Sequence, residues 1–193
     1  MSVQVKFLTS AAEEHGYPVH RLPEIAIAGR SNAGKSSLIN AMMNQKVAKV
    51  SQMPGKTRLL NFFNISDKYV LTDMPGYGWA SRSGTEMLTW QHLIETYLAV
   101  RENLAGLMLV MDIRRDWAEE EELLRRFCDQ HDIPIAIILT KSDKVSRSEM
   151  LQRVKKIQQY SRVDEVFAVS NMKKHGTKEM EDWLYANWVK IHI

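Results

Sequence analysis

The stretch GRSNAGKS, residues 29–36, decides the fold. It satisfies G-x-x-x-x-G-K-[ST], follows the apolar run EIAIAG (Glu24 to Gly29) and precedes a helical pattern from Lys35 to Met43. Between a strand and a helix, that pattern is a phosphate-binding loop. A polyphosphate needs many donors close together, and the glycines let the backbone wrap so that its N–H groups and the helix N-terminus face the anion. Gly29, Arg30, Ser31, Asn32, Ala33, Gly34, Lys35 and Ser36 are the first candidate binding residues, with Lys35 on the β and γ oxygens and Ser36 on Mg²⁺. The alternative, a chance match at a strand-to-helix turn, has both flanking elements against it. The loop alone leaves ATP and GTP open.

Outward from this loop, short β-rich apolar runs alternate with longer helical patterns, which predicts an α/β fold with a largely parallel sheet. Six strands are expected: Glu24 to Gly29, Leu59 to Ile65, Lys68 to Asp73, Gly106 to Asp112, Ile133 to Thr140 and Glu165 to Ser170. Their apolar density calls for helices on both faces. Only Ser66 and Asp67 separate the Leu59 and Lys68 runs, so these form a hairpin and give the sheet one antiparallel edge strand. Helices are expected at Lys35 to Met43, Thr85 to Val100, Glu119 to Asp129, Ser148 to Tyr160 and Thr177 to Val189. Residues 44–57 and 76–84, carrying Gly, Ser and basic side chains, read as mobile loops. The layout is one domain over residues 1–193, with residues 1–22 a short extension packing on or beside it.

The base is chosen by TKSD, Thr140, Lys141, Ser142 and Asp143, at the end of a strand. One carboxylate accepts two parallel hydrogen bonds from guanine N1–H and the exocyclic amine, a match adenine does not offer. Lys141 would lay its methylene stem along the base. Alone, the four residues could be a helix N-cap cluster; at the ligand-binding edge of such a sheet they select guanine. Asp73, which ends the Lys68 strand in DMPG, would hold Mg²⁺ through water, and the Gly76 N–H would touch the γ-phosphate. Thr57, before the Leu59 strand, is the candidate second protein ligand for the metal. Ser170 and Asn171 lie where backbone N–H groups would meet guanine O6.

Composition sets bounds. The chain has 193 residues, is 45% hydrophobic and 25% charged, and carries a net charge of +3, in the range of one soluble domain with a substantial core. That charge is compatible with an RNA-bearing partner but far from polybasic. The single cysteine, Cys128, excludes an intramolecular disulfide and a thiolate zinc site. Apolar runs are too short to span a bilayer, so the expected address is the cytoplasm, with no membrane and no DNA partner.

GRSNAGKS, PGKTR, DMPG, TKSD and VSN, in that order, resemble the five motifs of Era-like, translation-factor-class GTPases. More narrowly, GRSNAGKSSLINA, PGKTRLLNFF, DMPGYGWA and MDIRRD are similar to the EngB (YihA/YsxC) family of bacterial GTPases of large-subunit ribosome assembly. The resemblance implies a Ras-like fold, GTP and GDP binding, Mg²⁺, slow hydrolysis, partners in the large ribosomal subunit (its rRNA or proteins), and a link to cell division and septation. It adds Gly55, Lys56, Arg58, Leu59, Met74, Pro75 and Val169 to the nucleotide site, and treats DIRR as a subgroup marker, although Arg114 and Arg115 could equally be solvated. It departs from the common pattern at Asn171, where Ala or Ser usually follows the serine.

Where such GTPases often place a water-orienting glutamine, this chain has Tyr77. Help could come from Asn32, since in related potassium-dependent GTPases an asparagine there helps bind a monovalent cation that neutralises developing charge. The alternative is that Asn32 supports a left-handed turn. Lys35, Thr57 and Asn32 are thus the candidate catalytic residues, with Mg²⁺ and K⁺ as cofactors. Tyr77 and Trp79 are expected at the surface for RNA or protein, the alternative being a local cluster over the adjacent helix. Two other function classes stand beside the GTPase switch: a P-loop kinase or ATPase, which leaves TKSD unexplained, and a non-catalytic GDP/GTP-dependent RNA or ribosome binding module.

Overall fold

The computed structural model describes residues 3–45, 59–77 and 84–192, the side chains of 84–87 and 192 excepted. The elements run β1 (Val5–Ala11), β2 (Glu24–Gly29), α1 (Lys35–Met43), β3 (Leu60–Ile65), β4 (Tyr69–Asp73), α2 (Gly84–Val100), β5 (Leu104–Asp112), α3 (Glu119–Gln130), β6 (Ile135–Thr140), α4 (Arg147–Ser161), β7 (Val166–Ala168) and α5 (Thr177–Leu184). Each predicted strand and helix is present within a few residues of its expected bounds. The helix expected to continue to Val189 instead widens into a π turn at Tyr185–Val189.

The sheet order is β1-β3-β4-β2-β5-β6-β7. It has seven strands where six were expected, and the antiparallel strand is not at the edge. β3 runs against both β4 and β1, so it lies inside while β1 forms the edge. β1 escapes a sequence reading because an edge strand needs little apolar density: Phe7 is 54% exposed, and a register shift between Phe7 and Thr9 breaks the alternation. Residues 5–11 therefore form the edge strand of the sheet.

Strand periodicity of two assigns the core to two faces. Ala26, Ala28, Leu107, Leu109, Ile137 and Leu139 face one way and pack under Ile94 and Tyr97 of α2, Leu124 and Cys128 of α3 and Ile157 of α4. Ile25, Ile27, Met108, Val110, Ala136 and Ile138 face the other and meet Leu38, Ile39, Met42 and Met43 of α1, Met180 and Leu184 of α5, and Trp188. Gly106 is required here, because a Cβ on it would lie 2.6 Å from the Trp188 ring. Burial pushes the Cys128 thiol up to about 12, which makes it a packing residue.

At the N-terminal end of the sheet, Glu24 is fully buried and accepts from Thr72 Oγ1 at 2.8 Å, Tyr97 Oη at 2.5 Å and Arg101 Nε at 2.8 Å. Arg101 also donates to Pro18 O, and Asn103 to His20 O, which pins the segment between β1 and β2. The working end is the opposite one. From β2 the chain goes to β3 and β4 on one side, then returns through α2 to β5 on the other, so the C-terminal end of β2 is the switch point where open α/β sheets bind ligands. Among the described residues no helix is long and apolar enough to cross a membrane.

Candidate functional site

The loop after β2 turns through two left-handed residues, Asn32 (φ 65°) and Gly34 (φ 94°), and Gly34 is the N-cap of α1. The space is closed as well as the dihedral: a Cβ on Gly34 would stand 3.1 Å from Thr140 Oγ1. Glycine is thus needed for both conformation and fit. Asn32 takes the turn role weighed for it in the sequence, with its carbonyl accepting from Lys141 Nζ at 2.8 Å. Lys35, the first residue of α1, is ion-paired with Asp73 at the end of β4. Ser36 follows on the same helix turn.

The DMPGY segment runs alongside this loop. Met74 N donates to Ile27 O at 3.0 Å, Tyr77 N to Gly29 O at 3.3 Å, and Ser31 N to Tyr77 O at 2.9 Å. Trp90 Nε1 of α2 donates to Pro75 O at 2.8 Å. Gly76 is therefore placed beside the phosphate loop by bonds on either side of it. Tyr77 is not at the surface. It is 3% exposed, packs 5.5 Å from Trp90 between ring centroids, and donates its hydroxyl to Glu121 Oε1 of α3 at 3.0 Å. Burial, with the Glu121 carboxylate beside it, raises the phenol well above its ordinary value, so Tyr77 keeps its proton. Its partner Trp79 lies outside the described residues, as do Gly55, Lys56, Thr57 and Arg58; Leu59 is described and partly exposed.

At the ends of β5 and β6 the TKSD residues are brought together with Asp112. Register pairs Asp112 with Thr140, and the Thr140 hydroxyl lies in hydrogen-bond reach of Ala33 O and of Met111 O. Lys141 is left-handed (φ 59°) and turns its ammonium to Asp112 Oδ2 at 2.9 Å as well as to Asn32 O. Arg114 grips the same carboxylate with Nε at 2.9 Å and Nη2 at 2.6 Å. Burial raises Asp112, but Arg114 and Lys141 more than offset it and hold the carboxyl well below the usual range. Asp143 accepts from Ser170 Oγ at 2.6 Å, and that hydroxyl keeps its carboxyl low. Ser142 N donates to Val169 O at 3.1 Å, joining TKSD to the strand end that carries Ser170. Ser170 N is given to His175 O, so Ser170 serves Asp143 through its side chain, and the Asn171 carboxamide oxygen is buried without a hydrogen-bond partner among the described residues.

Two residues of this site have no role in the sequence reading. Asp112 has two signals available, its place as the last residue of a central strand and as the first of DIRR, while Glu121 sits in a run of four glutamates in the first turn of α3 that reads as helix-dipole complement. A metal cluster of three or more His, Cys, Asp or Glu is absent among the described residues. That is compatible with Mg²⁺, which asks for one or two protein oxygens besides phosphate; Ser36 and Asp73 are hard oxygen donors and fit it.

Comparison with known proteins bears on this site. Residues 24–141 match the family model described as 50S ribosome-binding GTPase. An EngB GTP-binding protein of Bdellovibrio bacteriovorus is 56% identical over 190 residues, covering 98% of this chain and 95% of that one. Among solved structures, an engB GTP-binding protein superposes with a TM-score of 0.71 at 20% identity over 84% of this chain and 97% of that chain. Era in complex with MgGDPNP and a segment of 16S ribosomal RNA superposes at 0.69 and 21% identity over 86% of this chain and 56% of that one, a likeness of fold. Full-length similarity at 56% identity, laid over this phosphate loop, shows that the chain belongs to the EngB family of GTP-binding proteins and is a GTPase.

Proposed function

We propose that this GTPase is an Mg²⁺-dependent switch acting in the cytoplasm on assembly of the large ribosomal subunit, with normal cell division and septation depending on that step. The observation that carries the switch is the pairing of Tyr77 with the phosphate loop: Ser31 N donates to Tyr77 O and Tyr77 N to Gly29 O, which supports reading the residue before it, Gly76, as the sensor of a third phosphate. The ribosomal partner is supported by the description of the family model and by the Era complex with ribosomal RNA.

In this reading Lys35 serves the β and γ oxygens, Ser36 and Thr57 ligate the metal, and Asp73 reaches it through water. The ion pair between Lys35 and Asp73 beside the phosphate loop supports giving them a shared task there. Mg²⁺, held by these residues, would supply charge neutralisation to the phosphates. Asp143, oriented by Ser170, accepts from guanine, and Lys141, held by Asp112, covers the base. Tyr77, protonated and turned into the core, does not reach water, so hydrolysis is slow and draws on a partner and on a monovalent cation near Asn32. Family membership leaves the kinase reading without support.

Cosedimentation with large ribosomal subunits in GDP, GTP and a non-hydrolysable GTP analogue tests the switch. Binding should follow the third phosphate; binding indifferent to the nucleotide rejects it. Turnover in KCl against NaCl at equal ionic strength tests the cation, and equal rates, unchanged in Asn32→Ala, remove it.

A further inference from the structure

Glu121 is an expensive residue for its position. It is 1% exposed, its Oε2 has no hydrogen-bond partner among the described residues, and burial raises its carboxyl against the opposing Tyr77 hydroxyl. A buried polar atom left unpaired costs stability, and a well-packed apolar pair usually replaces such an arrangement without loss. Stability therefore does not account for it. What Glu121 does is hold Tyr77 Oη at 3.0 Å, and Tyr77 is the residue whose backbone is stitched on both sides to the phosphate loop. One residue earlier in α3, Glu120 reaches Arg30 Nη1 at 3.5 Å, and Arg30 is bridged to Tyr77 in parallel fashion. The first turn of α3 thus grips the loop and the sensor together.

We propose that Glu121 is a positioning residue for the γ-phosphate sensor: through the Tyr77 hydroxyl it fixes the Gly76–Tyr77 peptide against the phosphate loop, and so sets the preference for GTP over GDP. Five hydrogen bonds among the described residues flank Gly76: Met74 with Ile27, Trp90 with Pro75, Tyr77 with Gly29 and with Ser31, and Tyr77 with Glu121. The last is the one that comes from beyond the sheet, the phosphate loop and α2. A shift of α3 is therefore transmitted to Gly76 through Tyr77, and to the start of the phosphate loop through Arg30.

The proposal rests on Gly76 serving the γ-phosphate, and the test separates the two. Affinities for fluorescent GDP and for a non-hydrolysable GTP analogue are measured on the full chain and on Gly76→Ala, Tyr77→Phe, Glu121→Leu, Glu121→Gln and Tyr77→Phe/Glu121→Leu, with thermal midpoints. Tyr77→Phe and Glu121→Leu should weaken the GTP analogue about tenfold relative to GDP, a coupling of ordinary size. Glu121→Gln, which keeps an acceptor at Oε1, should stay within about twofold of the parent ratio. The double variant removes the orphaned carboxylate, so its thermal midpoint recovers while the ratio does not, an outcome that a merely structural role would not give. Equal loss of both nucleotides, or an unchanged ratio, in the single variants and in the double overturns the proposal. If Gly76→Ala also leaves the ratio alone, the γ-phosphate role of Gly76 has failed; if Gly76→Ala alone moves it, only Glu121 has.

Discussion

The Ser170 hydroxyl donates to Asp143 Oδ1 at 2.6 Å, across 27 residues of sequence. Two motifs that a linear reading treats separately are one device. The carboxylate proposed to present two acceptors to guanine is oriented by a side chain just after β7, and that side chain is itself steadied by Lys173 N at 3.2 Å.

Ser170→Ala should therefore weaken GDP and GTP alike, by about tenfold, through loss of a hydrogen bond to a charged acceptor. Ser170→Thr should retain most of the affinity. Titration of a fluorescent guanine nucleotide checks both, and adenine nucleotides should remain unbound in each variant. Affinity unchanged in Ser170→Ala would show that Asp143 needs no orientation.

The Glu24 network lies at the other end of the sheet and should behave in the opposite manner. Glu24→Ala leaves Arg101, Tyr97 and Thr72 without their common acceptor, and breaking a buried ion pair costs about 3–5 kcal/mol. Urea unfolding should register that loss. Nucleotide affinity measured below the transition should be unchanged, because the network touches the N-terminal end of β2 and not its phosphate loop.

The contrast between these two ends explains what a sequence reading captures. β2, β5 and β6 are legible because strands covered on both faces must be apolar throughout, and the phosphate loop and TKSD are legible because backbone geometry and guanine each demand particular residues at fixed spacing. β1 is not, since an edge strand with one solvated face needs no such density. For Tyr77 the sequence leaves open a surface role or a cluster over the adjacent helix; its packing on Trp90 of α2 is the second, while its bond to Glu121 of α3, 44 residues away, has no local signal. In the sequence Asp112 reads only as a strand end and Arg114 as a subgroup marker or a solvated charge, because the carboxylate's other partner, Lys141, arrives only through strand register. Tertiary pairing leaves no local trace in the chain.

Stability should also depend on pH through α5. Burial, with Asp182 beside it, raises Glu181 from the usual 4.5 to about 7. A raised carboxyl stabilises the fold most when protonated, so its contribution is complete below 4.5 and is lost as pH rises towards about 7. The urea midpoint should decline over that interval. Glu181→Gln should flatten the decline and leave the variant more stable than the parent at pH 8, and an identical pH profile for the two proteins would contradict the assignment.

The Asp112 clamp gives the reverse dependence and links the DIRR sequence to the base. Its carboxyl is held well below the usual range by Arg114 and Lys141 against the effect of burial, so its contribution is present above the ordinary carboxylate value of about 4 and is lost only in acid. Asp112→Asn should then lose stability at pH 7 and show a shallower acid limb than the parent. The same change frees Lys141 from one of its two anchors, leaving Asn32 O at 2.8 Å as the other, and guanine-nucleotide affinity should fall with GDP and GTP affected equally. Arg114→Ala removes the bidentate grip yet leaves Lys141 on Asp112, so it should cost less affinity than Asp112→Asn. If the two variants lose equal affinity, the guanidinium contacts the nucleotide directly, and the clamp is the lesser part of its role.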